Sequence, residues 1–511
     1  MSLPDDFNTF HVEPQRPTVF VSNRPLRDVS ADALEALHAA NDPPTLFTRG
    51  DTLARVQTNE GTCRIVTLGE DHLRGHLTRA ADFMRWGRNE ARHASPPRDV
   101  VRDILAAAEW GFPRLRGLIR TPMVRTDGSL LTQEGFDAAT GLFYAPPPGF
   151  QLPPIPEHPT AVDVREAIAL LSEPFADFPF GERSSRANAL ALALTPLMRS
   201  LITGSVPLAV VDAPQQGTGK TLLVDVASII ATGEEAAVTT VPRSDDEMRK
   251  RITAQLLGGQ SFVLIDNVDG PLQSPALAAA ITAHVWRDRI LGHSREVIVP
   301  VDVTWAATGN NVRLIGDLLR RSYPVRLDAR TSEPWRRSGF RHPDLLGYLH
   351  QNRPQLVAAA LTLVRAWVHE GRPKPAIPAL GSFQGWCDAV GGVLLVAGVD
   401  DFLLNLESMY AGADPDAASW TAFLETWREC FAEEAITAAA VVRTLEGGDP
   451  RFEPLRSTLP DEVADAHPER RSRALGTALA QRQERRYGPD GLRVVRSGTE
   501  RHAVRWIVLG G

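Results

Sequence analysis

The sequence predicts an α/β fold: a parallel sheet flanked by helices, with a strand-rich region before it and, after it, a small domain whose C-terminal part is basic. Three observations predict it. Residues 206–212, 262–266 and 303–308 contain short apolar runs, which read as strands buried on both faces. A glycine-rich turn, Gln216-Gly217-Thr218-Gly219-Lys220-Thr221, joins the first run to an apolar helix over 222–230. A Pro-rich stretch at 145–159 and an Ala-Gly-Ala-Asp-Pro break at 411–415 bound the region that holds these runs.

Taken in order, residues 1–150 read as a strand-rich N-terminal domain. Short strands are expected at 19–21, 45–47 and 53–56, and a helix at 31–40 with Ser30 placed to cap it. No paired acidic motif on adjacent strands is present there, which argues against a polymerase or primase centre. Residues 160–335 carry the motifs described below. Residues 336–410 read as a helical extension, with helices at 344–351 and 354–368. Residues 414–511 read as a separate small domain, and no repeat at solenoid spacing occurs.

Composition bounds the function. The 511 residues suit two to four domains, and 43% hydrophobic with 23% charged residues is ordinary for a globular chain. No stretch approaches the roughly 20 uninterrupted apolar residues of a membrane helix, so no membrane partner is expected. The acidic, polar first residues do not read as a secretory signal. Cys63, Cys387 and Cys430 are scattered, which argues against a zinc ribbon or disulfide scaffold and for a reducing cytoplasm. A net charge of -7 gives no global pull toward nucleic acid, so any such binding must come from local patches.

Lysine occurs only at Lys220, Lys250 and Lys374, and arginine supplies the remaining basic charge. A lysine kept inside a glycine turn points to a task that a planar guanidinium does not fit. Such a task is a compact ammonium touching the β- and γ-phosphates of a nucleotide. Strand, glycine turn and helix N-terminus together form an anion cradle, to which Gly217, Thr218, Gly219, Lys220 and Thr221 supply amides. Pro214 stands where the full phosphate-loop pattern has glycine.

Downstream, Phe262-Val263-Leu264-Ile265-Asp266 is a buried strand with a carboxylate at its C-terminal edge. The hard oxygens of Asp266 and Thr221 suit Mg²⁺. Asn267 follows, where many ATPases have a second acid to polarise water, and Asp269 is the nearest acid able to act as a base. At the tip of the 303–308 strand, Asn310 is placed to hold the attacking water, with Asn311 as the alternate. Arg320 and Arg321 then end a helix before a further strand at 323–327. Two planar cations at such a corner either reach a phosphate bound by a neighbouring subunit or complement the helix dipole.

With these runs in this order, the chain resembles the AAA+ ATPases, and within them the superfamily 3 helicase module of phage and plasmid primase-helicases. Residues 216–221 are similar to the Walker A motif, 262–266 to Walker B, Asn310 to sensor 1, and Arg320-Arg321 to the arginine-finger region. Thr308-Gly309-Asn310-Asn311 and Asp317-Leu318-Leu319-Arg320-Arg321 carry most of the resemblance, which covers about residues 160–410. It implies an ATP- and Mg²⁺-dependent enzyme that works as a hexameric ring and moves or remodels DNA, with a separate primase or polymerase as partner. It also implies a lid arginine on phosphate, for which Arg353 or Arg341 is the candidate. A channel hairpin is implied over 287–297, where Arg289, His293 and Arg295 meet phosphates or form a solvated turn.

The C-terminal residues carry their own signal. From His467 onward ten arginines face four acids. A helix over 473–486 and a hairpin of 492–496, a Ser497-Gly498 turn and 503–507 resemble a winged helix. Its candidate DNA contacts are Arg482, Arg485, Arg486, Arg493 and Arg496; the alternative is an arginine-rich face packed on an acidic subunit. The expected function is an ATP-dependent DNA helicase or translocase of a replicating mobile element. The rival is a non-translocating assembly switch, a loader or defence component. A small-molecule kinase explains neither the paired arginines nor the basic C-terminal domain.

Overall fold

The apolar runs become the inner strands of one sheet. The computed structural model describes residues 16–59, 62–107, 109–289, 296–413, 415–501 and 503–510. Two helices, α1 (Ala161–Ser172) and α2 (Arg183–Leu197), lead into β1 (Leu208–Ala213). Then follow α3 (Lys220–Thr232), β2 (Ala237–Thr240), α4 (Asp245–Gly258), β3 (Phe262–Val268) and α5 (Pro275–Thr282). A ribbon of β4 (Val285–Arg289) and β5 (Glu296–Pro300) precedes β6 (Thr304–Asn310) and β7 (Ser322–Arg326). The five-stranded sheet has the order β2-β3-β6-β1-β7 and every pairing in it is parallel. This is the α/β architecture that the sequence predicts.

Burial explains why these segments read as uninterrupted apolar runs. In β1 only Asp212 is less than fully buried, and in β6 only Asn310 is exposed. Helices cover both faces of a parallel sheet, so the inner strands do not alternate polar with apolar, unlike the edge strand β2, which is only partly buried. From β1 the chain crosses to the edge strand β2, returns through β3, and then inserts β6 between β3 and β1. The C-terminal ends of β1, β3 and β6 therefore lie side by side, where ligands bind in open α/β sheets.

Around this core, α6 (Leu345–His369) and α7 (Gln384–Val396) pack on one another. The sequence suggests two helices at 344–351 and 354–368, but α6 is continuous through Pro354. An interior proline costs about 3 kcal/mol. Burial of Leu349, Leu356, Val357, Leu361, Leu363 and Val364 along one helix outweighs it. Asp344 caps the start, accepting from the Gly347 N–H at 2.9 Å.

The N-terminal region holds three small three-stranded sheets. Its first helix is Leu26–Ala39, beginning earlier than the expected 31–40. Pro25 presets the N-terminus with φ −56°, so Ser30 lies inside the helix, buried, rather than at its cap. Arg49 ties this region to the core by donating to the carbonyls of Leu256 (2.7 Å) and Leu257 (3.1 Å) at the end of α4.

Clustering of contacts divides the chain into one unit up to Asn405 and a second from Leu406 onward. In the second, α8 (Pro415–Phe431), β8 (Ile436–Thr437), α9 (Ala438–Glu446) and α10 (Pro468–Gln481) precede β9 (Arg486–Tyr487), β10 (Leu492–Glu500) and β11 (Ala503–Leu509). The strands form an antiparallel sheet in the order β8-β11-β10-β9. The expected helix over 473–486 is displaced: Pro468 opens α10 and the chain turns away at Glu484, whose φ is +64°. Ser497-Gly498 is a register irregularity within β10 rather than the hairpin's turn, since pairing resumes at Thr499 with Val504.

Candidate functional site

A left-handed backbone shapes the loop after β1. Gly217 (φ +76°) and Gly219 (φ +90°) adopt conformations that side chains disfavour, and a Cβ at Gly219 would press on the Phe178 ring at 3.3 Å. Gly219 is the N-cap of α3, so Lys220 and Thr221 occupy its first turn, where amides point outward and the helix dipole favours an anion. Thr218 is buried beneath the loop.

Four predicted side chains meet at this edge. The Lys220 ammonium donates to Asn310 Oδ1 at 2.8 Å and to the Gln215 carbonyl at 3.3 Å. Thr221 Oγ1 donates to Asp266 Oδ1 at 3.0 Å, and Thr308 Oγ1 donates to the same oxygen. Parallel register explains the meeting: Asn310 pairs with Ala213 and Thr240 with Asp266. Partial burial lowers the Lys220 pKa, against the opposing pull of Asp212 and Asp266. Burial likewise raises the Asp212 and Asp225 pKa values.

The two asparagines at the β6 tip divide their partners. Asn310 faces Lys220, while Asn311 (φ +47°) accepts from Arg326 at 3.0 Å. Arg326 also pairs with Asp212, whose other oxygen accepts the Val312 N–H at 3.0 Å. Asn267 (φ +53°) points into solvent and its N–H donates to Thr308 Oγ1 at 3.1 Å. A register shift between Ile265 and Val268 accommodates that kink, and Asp269 lies beyond it, exposed.

Arg320 and Arg321 stand at the other end of the sheet. They precede Ser322, which pairs with Leu208 at the start of β1, so about five strand residues, roughly 17 Å, separate them from the glycine loop. Arg320 is 68% exposed and held by Asp317 at 2.6 Å. Arg321 is 19% exposed, bound to Asp317, the Ala278 carbonyl and the Thr282 hydroxyl. Neither hydrogen-bonds to the loop of its own chain among the described residues.

Arg353, the lid candidate, lies at the end of α3 opposite the glycine loop. It is 4% exposed, donates to the Ile229 carbonyl at the far end of α3, and stacks 4.9 Å from the Phe150 ring. Burial lowers its pKa to about 10. Arg341 pairs with Glu173 at 3.2 Å.

The sequence analysis misses an aromatic cleft beside the loop. About 430 Å³ in volume, it is lined by Phe178, Gly219, Trp335, Phe340, His342 and Leu345 among others. Trp335 and Phe340 are exposed there, and a Cβ at Gly217 would meet Trp335 at 3.1 Å. The signal was the cluster Trp335, Phe340 and His342 after the last core strand.

The remaining candidates lie elsewhere. Arg289 ends β4, exposed, while His293 and Arg295 lie outside the described residues. In the second unit, Arg482 pairs with Glu462 at 2.8 Å and covers the Trp420 ring at 4.5 Å. Arg493 pairs with Glu484 at 2.9 Å and lies directly opposite Arg486. Arg485, Arg486 and Arg496 are exposed, the first stacked near Tyr487 and the last near Trp506.

The donor set fits Mg²⁺: a hydroxyl and a carboxylate 3.0 Å apart can share one hard cation. Among the described residues no group of three or more His, Cys, Asp or Glu forms a protein-only metal site. No helix among them is long and apolar enough to cross a membrane.

No protein-family model matches the chain, and no curated protein matches it. Solved structures do. The apo NrS-1 C-terminal region, residues 305–718, is similar at 13% identity with TM-score 0.40, covering 94% of this chain and 100% of that one. Inhibitor-bound JCV helicase is similar at 12% identity with TM-score 0.23, over 40% of this chain and 54% of that one.

Proposed function

We propose that the chain is an AAA+ ATPase of superfamily 3 helicase type, which uses ATP hydrolysis to move or unwind DNA of a replicating mobile element. One observation carries this: Lys220, Thr221, Asp266 and Asn310 come from three separate elements and meet at one sheet edge. The strand order supports it, because β6, with Asn310 at its tip, lies between the glycine-loop strand and the Asp266 strand.

In this reading Lys220 and the loop amides bind the triphosphate, and the aromatic cleft takes the base. Thr221 and Asp266 hold Mg²⁺, which when bound neutralises phosphate charge. Asn310 orients the attacking water, and Asp269 takes its proton. Arg320 serves the site of a neighbouring subunit, since the sheet separates it from its own. In this reading the subunits form a ring, hexameric by the family resemblance.

DNA contacts are assigned to Arg289 at the end of β4, to His293 and Arg295, which lie outside the described residues, and to Arg485, Arg486 and Arg496 on a winged-helix-like second unit. A helix, a short strand, a run of helices and then a basic hairpin, in that order, support the winged-helix reading. The test is ATPase rate with and without single-stranded DNA, run beside unwinding of a forked duplex. DNA-stimulated hydrolysis with unwinding supports the proposal, and hydrolysis indifferent to DNA counts against it.

A second reading has one observation in its favour. Asn267 occupies the position after Asp266 and cannot accept a proton, which suits a slow assembly switch in a loader or defence complex. Nucleotide-dependent ring assembly without unwinding would favour that reading.

A further inference from the structure

The N-terminal region carries a basic, aromatic hollow that shares no residue with the nucleotide site. Strand Asp82–Trp86 pairs antiparallel with Ala91–His93, which sets Arg85 directly opposite Arg92. Like charges facing one another in a sheet disfavour the pairing. Arg74 and His93 line the same hollow of about 510 Å³, and no acidic side chain lines it. Glu90 pairs with Arg92 at 3.1 Å, but both side chains are largely in solvent and such pairs are weak. Residues 79–98 carry five arginines against two acids within a chain of net charge -7.

Among these cations stands Trp86, which is 58% exposed. Its ring stacks on Phe20 with centroids 5.4 Å apart and planes 11° from parallel. Its backbone N–H donates to the Ser22 hydroxyl at 2.8 Å. The indole is thus a supported platform with more than half of its surface left to water. Among the described residues most large aromatics are buried, so Trp86 stands out by its exposure.

We propose that this ribbon is a contact for single-stranded nucleic acid, with a base stacked on Trp86 and backbone phosphates held by Arg74, Arg85 and Arg92. An aromatic platform flanked by guanidinium groups matches the alternation of base and phosphate along an unpaired strand. A duplex keeps its base faces stacked and offers none to the indole. An acidic polypeptide would satisfy the arginines and leave the tryptophan without a purpose. The contact requires no ATP, so it stands or falls apart from the nucleotide site.

The experiment is fluorescence anisotropy of a labelled oligothymidylate titrated with the full chain, without nucleotide and at several salt concentrations. Trp86→Ala should weaken binding about tenfold, and Trp86→Phe should recover most of it. Arg85→Ala with Arg92→Ala should flatten the slope of log affinity against log salt by about 1.4, two phosphates at ~0.7 each. Thermal unfolding and Mg·ATP binding of these variants should match wild type. An oligouridylate arm tells RNA from DNA within the same class. Wild-type affinity and salt slope in the variants would overturn the proposal. So would an absence of strand binding by the wild type, or displacement of the strand by polyglutamate with equal loss in Trp86→Ala and wild type. Failure of the wild type to bind ATP would leave this result untouched and would count only against the nucleotide site.

Discussion

The Lys220 ammonium lies 2.8 Å from Oδ1 of Asn310, linking the first turn of α3 to the tip of β6. A neutral amide thus holds the cation where a phosphate oxygen is proposed to sit. Changing that amide to a carboxylate gives Lys220 a permanent anionic partner that competes with triphosphate. Asn310→Asp should therefore weaken ATP binding about tenfold or more, measured by equilibrium titration. Asn310→Ala should leave affinity near wild type and lower turnover by about 10²-fold, because only water positioning is lost.

Burial lowers the Lys220 pKa below its ordinary value in the free site. A bound triphosphate favours the charged form and raises that pKa again. Binding therefore takes up a proton when the pH lies between the two values. Affinity should fall as pH rises through the lowered, free-site value. Titrations in buffers of differing ionisation enthalpy would reveal the proton uptake, and Lys220→Arg should abolish this pH dependence.

The twin arginines should separate experimentally. Arg320, exposed, is the one available to a neighbouring subunit, so Arg320→Ala should lower turnover and leave nucleotide affinity intact. Mixing Arg320→Ala with Lys220→Ala chains should restore part of the activity, since some shared sites then receive both groups. Arg321→Ala should instead destabilise the core by about 1–3 kcal/mol, because the mostly buried guanidinium loses its bonds to the Ala278 carbonyl and the Thr282 hydroxyl of α5. Denaturant unfolding measures that loss.

In the second unit Arg482 and Arg496 should also differ. Arg482 is 13% exposed between Glu462 and the Trp420 ring. Its replacement by alanine should cost about 1–2 kcal/mol of stability and little DNA affinity directly. Arg496→Ala should leave stability unchanged within ~0.5 kcal/mol. It should reduce the salt slope of duplex binding by about 0.9.

Much of this was legible because parallel strands and phosphate loops leave strong local marks. The runs ending at Ala213, Asp266 and Asn310 are largely buried segments dominated by apolar residues, and the glycine turn between β1 and α3 is specific in residue type. What escaped depends on neighbours distant in sequence. Pro354 reads as a helix break until the buried face of α6 is seen to continue past it. Arg353 looks like any lid arginine, and only packing shows it turned toward Ile229 and Phe150. The aromatic cleft joins Phe178 to Trp335 and Phe340 across the whole core, a proximity that no periodicity encodes. Ser497-Gly498 has turn chemistry, yet register with β11 carries the strand past it.

The most direct measurement is isothermal titration of the wild type and Lys220→Ala with a slowly hydrolysed ATP analogue and Mg²⁺, paired with thermal unfolding of both. Saturable binding by the wild type, weakened at least tenfold in a variant that unfolds at the same temperature, is the predicted result. Equal affinity in the two proteins, or no binding by the wild type, would contradict a triphosphate held at the turn between β1 and α3.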